Sequence, residues 1–217
     1  MDRIYYIALF ALLAAFLSAF NISVIRYFSE GEKISRLMGG VITGLTVVTL
    51  YAAFNYSDRP IAEIVFATLL IITGGIDYKT KTVVTGTVYL GGLLAAGISL
   101  IYGREPLDLV LGGLTGFAFY LLIYFVAKSY YKREAFGYGD VIFMGAIGCY
   151  LGFWHGILAS LLTFYVALIF IILFAIIGKL ISRKTELAFA PYMAISAWIV
   201  SIFGEDLINI YMQFTFG

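Results

Sequence analysis

Long apolar segments recur from one end of this 217-residue chain to the other, and they restrict its possible folds more than any other feature. Hydrophobic residues make up 62% of the chain and charged residues only 12%, whereas about a quarter of a soluble domain is charged. A water-soluble core of this size could not bury so much apolar surface, so a lipid bilayer must form part of the solvent. The sequence therefore predicts an integral membrane protein.

Charged residues, glycines and prolines divide the apolar sequence into eight segments. The segments are 4–25, 37–56, 61–76, 83–102, 107–127, 141–153, 157–181 and 187–203. The third and sixth fall short of the roughly 17–25 residues that a spanning helix needs, and such helices can end inside a bundle beside a water-filled cavity. We expect an all-α, polytopic membrane bundle of about eight transmembrane helices. It forms a single domain over 1–217, and its first helix is retained rather than cleaved as a signal peptide.

Basic residues are distributed unevenly between alternate loops. Of the 14 lysines and arginines, all except Arg3, Arg59 and Arg104 lie in one set of loops. The positive-inside rule places this set in the cytoplasm and both termini outside, so we expect a multi-pass protein of the inner (cytoplasmic) membrane. The net charge of +1 gives no reason to expect a nucleic-acid partner. The single cysteine, Cys149, excludes an intrachain disulfide and a zinc site built on a cysteine pair.

Two aspartates stand at the ends of predicted spans. Asp77 closes the third span, and Asp140 opens the sixth. The predicted topology puts both at the cytoplasmic ends of their helices and at similar depth. Two carboxylates held close together share one proton, so one can act as general base on a water molecule while the other polarises a scissile carbonyl. This is the chemistry of aspartyl proteases, and it needs no metal and no other cofactor.

The residues before Asp140 suggest how a substrate would bind. Gly137 and Gly139 lack Cβ atoms, so they allow unusual backbone angles and let another chain approach closely. An extended peptide can pair with such an open backbone, and we expect 137–139, including Tyr138, to bind substrate. Pro191, inside the last predicted span, is expected to kink that helix and to help form the substrate groove, with simple packing as the alternative.

Other interpretations of the acids remain open at this point. Both aspartates can be interfacial residues at helix ends, with the glycines forming a turn. A transporter or channel that uses the pair as a cation site is a second alternative, and it predicts acids near the bilayer midplane. Glu63 and Asp108 fall at outer helix ends, where water or a positive helix terminus stabilises them.

The motifs around the two aspartates resemble those of the type IV prepilin peptidases, membrane aspartyl proteases named for a Gly-x-Gly-Asp motif. That motif is matched by Gly137, Tyr138, Gly139 and Asp140, and Glu134 before it resembles the acidic lead-in of the family. Asp77, with the apolar Val83 six positions later, fits the segment of the first family aspartate. Segments 18–26 and 188–192 resemble two further family segments. The four matches follow the family order and span most of the chain.

The resemblance implies removal of a short basic leader from prepilin-like proteins at the cytoplasmic face, with Asp77 and Asp140 as the catalytic residues. Glu134 would help to accommodate the basic leader. The pilin, pseudopilin or archaellin that is cleaved is left open, and a non-catalytic assembly factor is an alternative against which the two aspartates argue.

The chain also departs from the family. Val84 replaces a proline, Ala190 replaces a glycine, and a loop of about ten residues replaces the cysteine-rich insertion of many bacterial members. Bacterial members often also N-methylate the trimmed pilin with S-adenosylmethionine. We infer no such activity, because the sequence has no glycine-rich nucleotide signature.

Overall fold

Eight α-helices follow one another in the computed structural model, which describes residues 2–31, 33–132, 136–177 and 188–216. They are α1 (Asp2–Phe28), α2 (Arg36–Tyr56), α3 (Pro60–Thr80), α4 (Thr85–Ile101), α5 (Pro106–Tyr131), α6 (Tyr138–Leu151), α7 (Phe153–Ile176) and α8 (Ala190–Phe216). Six of these helices are long and apolar enough to cross a membrane, and α4 and α6 are shorter apolar helices. The prediction of a polytopic all-α bundle of about eight helices is confirmed.

Local sequence sets several of the helix ends. Pro60 and Pro106 occupy the first turns of α3 and α5, where the missing N–H has no helical partner to lose. Lys81 and Lys132, with φ of 57° and 51°, adopt the left-handed conformation that ends these two helices. Gly152, with φ of 85°, is the single residue between α6 and α7. Only a residue without a Cβ adopts that angle without strain, so the tight connection depends on this glycine.

Two predicted spans have the wrong bounds. The third was expected to be short and to stop before Asp77, but α3 has 21 residues and carries Asp77 in its last turn. An acid fits inside this helix because its carboxylate accepts a hydrogen bond from the backbone of another helix. The last span was expected at 187–203 with a kink at Pro191. Instead α8 begins at Ala190, so Pro191 is its second residue and displaces no helical hydrogen bond.

The two helices that carry the aspartates are also the most enclosed. Most side chains of α6 and about half of those of α3 are buried. Helix α6 contacts α4, α5, α7 and α8, and α3 contacts α1, α2, α4 and α8. The 14 residues of α6 rise about 21 Å, less than the roughly 30 Å thickness of the hydrocarbon core. Because protein surrounds α6, it can be shorter than the bilayer.

Glycines bring α5 and α6 into close contact. A methyl group added to Gly112 would collide with the backbone of Gly148 and Gly152, and one added to Gly148 would collide with Gly112. A methyl group on Gly116 would lie 2.7 Å from the carbonyl oxygen of Met144. Small residues allow helix backbones to approach closely inside a membrane, and the glycines therefore fix the position of α6 against α5.

Polar side chains join the helices at the end of the bundle away from the aspartates. Glu63, only 3% exposed, accepts hydrogen bonds from the Tyr150 hydroxyl (2.7 Å) and the Ser201 hydroxyl (2.6 Å). These bonds connect α3, α6 and α8. Glu63 lies in the first turn of α3, as expected for an acid beside a positive helix terminus, but it is buried between helices and not solvated. Asp108 accepts from the Phe153 N–H at the start of α7 (2.9 Å), as expected for an acid beside a positive helix terminus, and pairs with Arg104 (3.1 Å).

Contacts between loops support the predicted alternation. Lys79 Nζ donates to the Lys33 carbonyl (3.3 Å), so the α1–α2 and α3–α4 connections lie at one end of the bundle. Arg104 donates to the Leu151 carbonyl (2.6 Å), which brings the α4–α5 and α6–α7 connections together. The side of the membrane that each end faces stays a prediction.

Candidate active site

Asp77 is held by the first turn of α8. It is 4% exposed, and its Oδ2 accepts a hydrogen bond from the Ala190 N–H at 3.0 Å. The first N–H groups of a helix have no partner inside the helix, so they are suited to bind a carboxylate. The sequence predicted a helix kink at Pro191 and not a hydrogen-bond donor beside it. The donor could have been anticipated, since proline is frequent in the first turn of a helix and the N–H groups there lack helical partners.

Asp140 lies in the first turn of α6 and is 7% exposed. Its backbone N–H donates to the Gly137 carbonyl at 3.1 Å, which fixes the turn that opens the helix. Its Oδ1 is buried and accepts no hydrogen bond from the described residues. Buried polar atoms in proteins nearly always have a partner, so an oxygen of this kind stands out among the described residues.

The fold brings these two acids together. Asp77 and Asp140 belong to different helices and are 63 positions apart in sequence, yet the two carboxylates are close enough for the charge of Asp77 to act on Asp140. Lys81, just past the end of α3, places a positive charge near Asp77. The structure thus holds two buried carboxylates at the same end of the bundle. One is bound to a helix terminus, and the other has an oxygen without a hydrogen-bond donor among the described residues.

Gly139 joins the segments that carry the two acids. A methyl group added to it would lie 2.7 Å from Cβ of Val83, the apolar residue six positions after Asp77. Carbon atoms in contact are normally about 3.5–4.0 Å apart, so only glycine fits at position 139. The two motifs therefore pack directly against one another. Val83 occupies the space that a side chain at position 139 would need.

The glycines of this motif provide close approach rather than unusual backbone angles. Gly137 has φ of −74°, and Gly139 lies within the regular helix α6. A methyl group on Gly137 would lie 3.1 Å from Oδ2 of Asp140, so this glycine leaves one face of the carboxylate uncovered. Tyr138 is half-exposed and its ring contacts that of Tyr124. The predicted substrate-binding residue Glu134 lies outside the described residues.

An aromatic cluster lies behind the two acids. The ring centroid of the buried Tyr120 is 5.7 Å from that of Phe136, and Phe136 is 5.4 Å from Phe189. Phe164 of α7 completes the cluster at 5.8 Å from Phe189. Phe136 precedes the glycine motif, and Phe189 precedes the backbone donor to Asp77. Ring packing therefore joins the segment before the glycine motif to the segment whose backbone binds Asp77. The sequence did not indicate this role, because these rings are far apart along the chain.

Within the described parts of the chain, no group of three or more histidine, cysteine, aspartate or glutamate side chains could hold a metal ion.

Comparison with known proteins relates this site to a family. The model of the type IV leader peptidase family, Peptidase_A24, matches residues 64–176. This range is just over half of the chain and contains both Asp77 and Asp140. No solved structure matches the chain.

Curated relatives are similar over part of their length. A prepilin leader peptidase/N-methyltransferase of Xanthomonas campestris pv. campestris is 25% identical over 198 residues, or 87% of this chain and 66% of that protein. Another, of Aeromonas salmonicida, is 32% identical over 129 residues, or 57% of this chain and 41% of that protein. A third, of Pseudomonas aeruginosa, is 27% identical over 129 residues, with the same two shares. The chain thus spans less than two thirds of the relatives that it matches.

Proposed function

Because the chain belongs to the type IV leader peptidase family, we propose that it is a membrane aspartyl endopeptidase that removes the short basic leader from type IV prepilin-like precursors. It is a multi-pass protein of the inner membrane. In this proposal the whole chain forms one peptidase domain, the acids face the cytoplasm and both termini lie outside. The uneven distribution of lysine and arginine between the loops supports this orientation.

One observation carries the proposal: two buried carboxylates from separate helices converge at one end of the bundle. Burying two like charges together is costly unless they share a proton. A stable fold has no need of such a pair, whereas a shared proton supplies the general acid and the general base of hydrolysis at one place. Asp77 lies in the last turn of α3 and Asp140 in the first turn of α6, so both acids are at helix ends. The comparisons do not favour the alternative of a cation transporter or channel.

The geometry suggests distinct roles for the two acids. Asp77, whose ionised form is stabilised by the Ala190 N–H and by nearby Lys81, takes a proton from the water that attacks the scissile carbonyl carbon. Asp140, whose Oδ1 accepts no hydrogen bond from the described residues, gives its proton to the carbonyl oxygen. When the tetrahedral intermediate collapses, Asp77 passes its proton to the leaving amine and Asp140 takes one back from a hydroxyl. Both acids then return to their starting states, and no metal or cofactor enters the cycle.

The motif residues serve the substrate in this proposal. Gly137 leaves the Asp140 carboxylate uncovered on one side, which supports approach of an extended peptide along 137–139. Half-exposed Tyr138 lies at the rim of the site, where it can contact the peptide. Glu134 would attract the basic leader, and Pro191 would shape the adjoining groove from the first turn of α8.

Cleavage by the purified protein in liposomes tests the proposal. The precursor carries a basic leader and an apolar helix, and mass spectrometry measures the released leader. Asp77→Asn and Asp140→Asn are each expected to lower the rate by at least about 100-fold, since general acid–base groups contribute that much or more. The matched control is Asp206→Asn, because Asp206 is an exposed aspartate of α8. Full activity of either active-site variant, or an equal loss in the control, would refute the proposed pair.

A further inference from the structure

A long apolar groove lies between α2, α3 and α8. Its volume is about 550 Å³, and its walls include Val41 and Leu45 of α2 and Trp198 of α8. On α2 the lining extends from Ser35 to Thr49, a rise of about 21 Å along the helix axis. The groove is thus long enough to hold one face of a helix through much of the bilayer. We refer to it as the α2–α3–α8 groove.

The groove begins beside the candidate active site. Two lining residues are close to Asp77 on α3: Gly74 lies about one turn before it, and Tyr78 follows it directly. Pro191, another lining residue, directly follows Ala190, whose N–H binds the Asp77 carboxylate. A chain that leaves the two carboxylates along this surface therefore enters the groove at once.

The floor of the groove is made of small residues. A methyl group on Gly74 would lie 3.4 Å from both Cβ of Ala194 and Cα of Pro191, so α3 and α8 pack closely below the groove. Ala67 continues the floor along α3. Apolar surface alone does not attract a helix inside lipid, because lipid tails are equally apolar. Small residues do favour helix association there, because they let another helix approach closely.

We propose that the α2–α3–α8 groove receives the apolar helix that follows the scissile bond of the substrate. This inference rests on the proposed function, which puts the scissile peptide between Asp77 and Asp140 and the apolar helix just beyond it. The helix must enter the bilayer from that point, and the groove is the apolar surface that starts there. Groove and helix would pack along their length, with the small floor residues against the substrate backbone.

Cysteine cross-linking in liposomes tests this arrangement without requiring cleavage. The background is Cys149→Ser, which removes the only cysteine of the chain, with Asp140→Asn to keep the substrate intact. The probe is the precursor of the cleavage assay with one cysteine within its apolar helix. Val41→Cys places the partner thiol in the groove. Val47→Cys is the matched control, because Val47 is an exposed valine of α2 that does not line the groove. It lies about 120° around the helix from Val41.

We expect cross-linking from position 41 and none from position 47. Equal cross-linking at both positions would overturn the groove assignment. Cross-linking at neither position would also overturn it, and this is the result expected if only lipid fills the groove. The wild-type cleavage assay is scored separately. A precursor that cross-links at position 41 but is not cleaved would refute the proposed function and leave the groove assignment standing. A precursor that is cleaved but does not cross-link at position 41 would overturn the groove assignment and leave the proposed function standing.

Filling the groove provides a second test in the active protein. Val41→Trp places a large ring where the substrate helix would pack. We expect KM to rise roughly tenfold with kcat nearly unchanged, because the lost contacts lie away from the reacting bond. The control Val47→Trp adds the same ring at an exposed position of α2 outside the groove, and it is expected to retain the wild-type KM. Equal effects of the two tryptophans would contradict the assignment.

Discussion

Replacement of Gly139 by alanine is a demanding test of how the two aspartate segments fit together. The added methyl group would lie 2.7 Å from Cβ of Val83, whereas carbon atoms in contact are about 3.5–4.0 Å apart. Either the α3–α4 connection or the start of α6 must therefore move by roughly 1 Å. Asp140 is the next residue and would move with α6. A displacement of about 1 Å in a catalytic group can lower a rate by about 100-fold, and we expect a loss of that size.

The assay is cleavage of the precursor in liposomes, with membrane insertion and thermal stability measured in parallel. Two further variants separate packing from other effects. Gly86→Ala adds the same methyl group where no atom lies within 4 Å, and it should leave activity unchanged. Combining Val83→Gly with Gly139→Ala removes the side chain that the added methyl group would meet, so the double variant should regain much of the lost rate. Wild-type activity of Gly139→Ala, or a double variant no better than the single one, would refute the reasoning.

Three further results are expected. Glu63→Ala leaves the Tyr150 hydroxyl without its acceptor and should lower the free energy of unfolding by about 1–3 kcal/mol, with a smaller loss for Glu63→Gln; equal losses in a detergent melting assay would contradict this. Gly148→Leu should prevent folding because its side chain meets the backbone of Gly112, whereas Gly97→Leu, with open space around it, should fold; yields of monodisperse protein distinguish the two. A chelator should leave the cleavage rate unchanged, because the proposed cycle uses carboxylates alone; inhibition reversed by added metal would count against it.

Glu63 also bears on how the active site is kept in place. Its hydrogen bonds to Tyr150 and Ser201 join α3, α6 and α8 at the far end of the bundle. These three helices carry Asp77, Asp140 and the backbone donor to Asp77. Glu63 precedes Asp77 by 14 residues, or about 21 Å along the helix. The same three helices are thus tied together at both ends, which limits how far the two acids can move apart.

The membrane fold could be predicted because its signals are local. Apolar segments separated by charges and glycines identified about eight helices, and their number holds in the structure. The close contact between α5 and α6 also has a local cause, because glycines four residues apart let the two backbones approach. The convergence of Asp77 and Asp140 followed from the alternation of basic loops, which put the end of α3 and the start of α6 on the same side.

Other features depend on contacts between distant segments, and the sequence did not reveal them. The apolar segment before Asp77 gave no sign that α3 continues past the acid, because the Ala190 N–H that accommodates it comes from α8. The burial of Glu63 was not anticipated, because its hydrogen-bond partners are 87 and 138 positions away. Pro191 was placed inside a helix because the start of α8 could not be located from hydropathy. In the first two cases the deciding atom belongs to another helix.

The proximity of the two carboxylates is the central claim, and an engineered cysteine pair tests it directly. In the Cys149→Ser background, Asp77→Cys and Asp140→Cys are combined and treated in liposomes with a short bismaleimide, and mass spectrometry detects the linked peptides. A control pair joins Asp77→Cys to Asp108→Cys, because Asp108 lies at the opposite end of the bundle. The account predicts an intramolecular link between positions 77 and 140 and none between 77 and 108. A link in the control pair, or no link between 77 and 140, would contradict it.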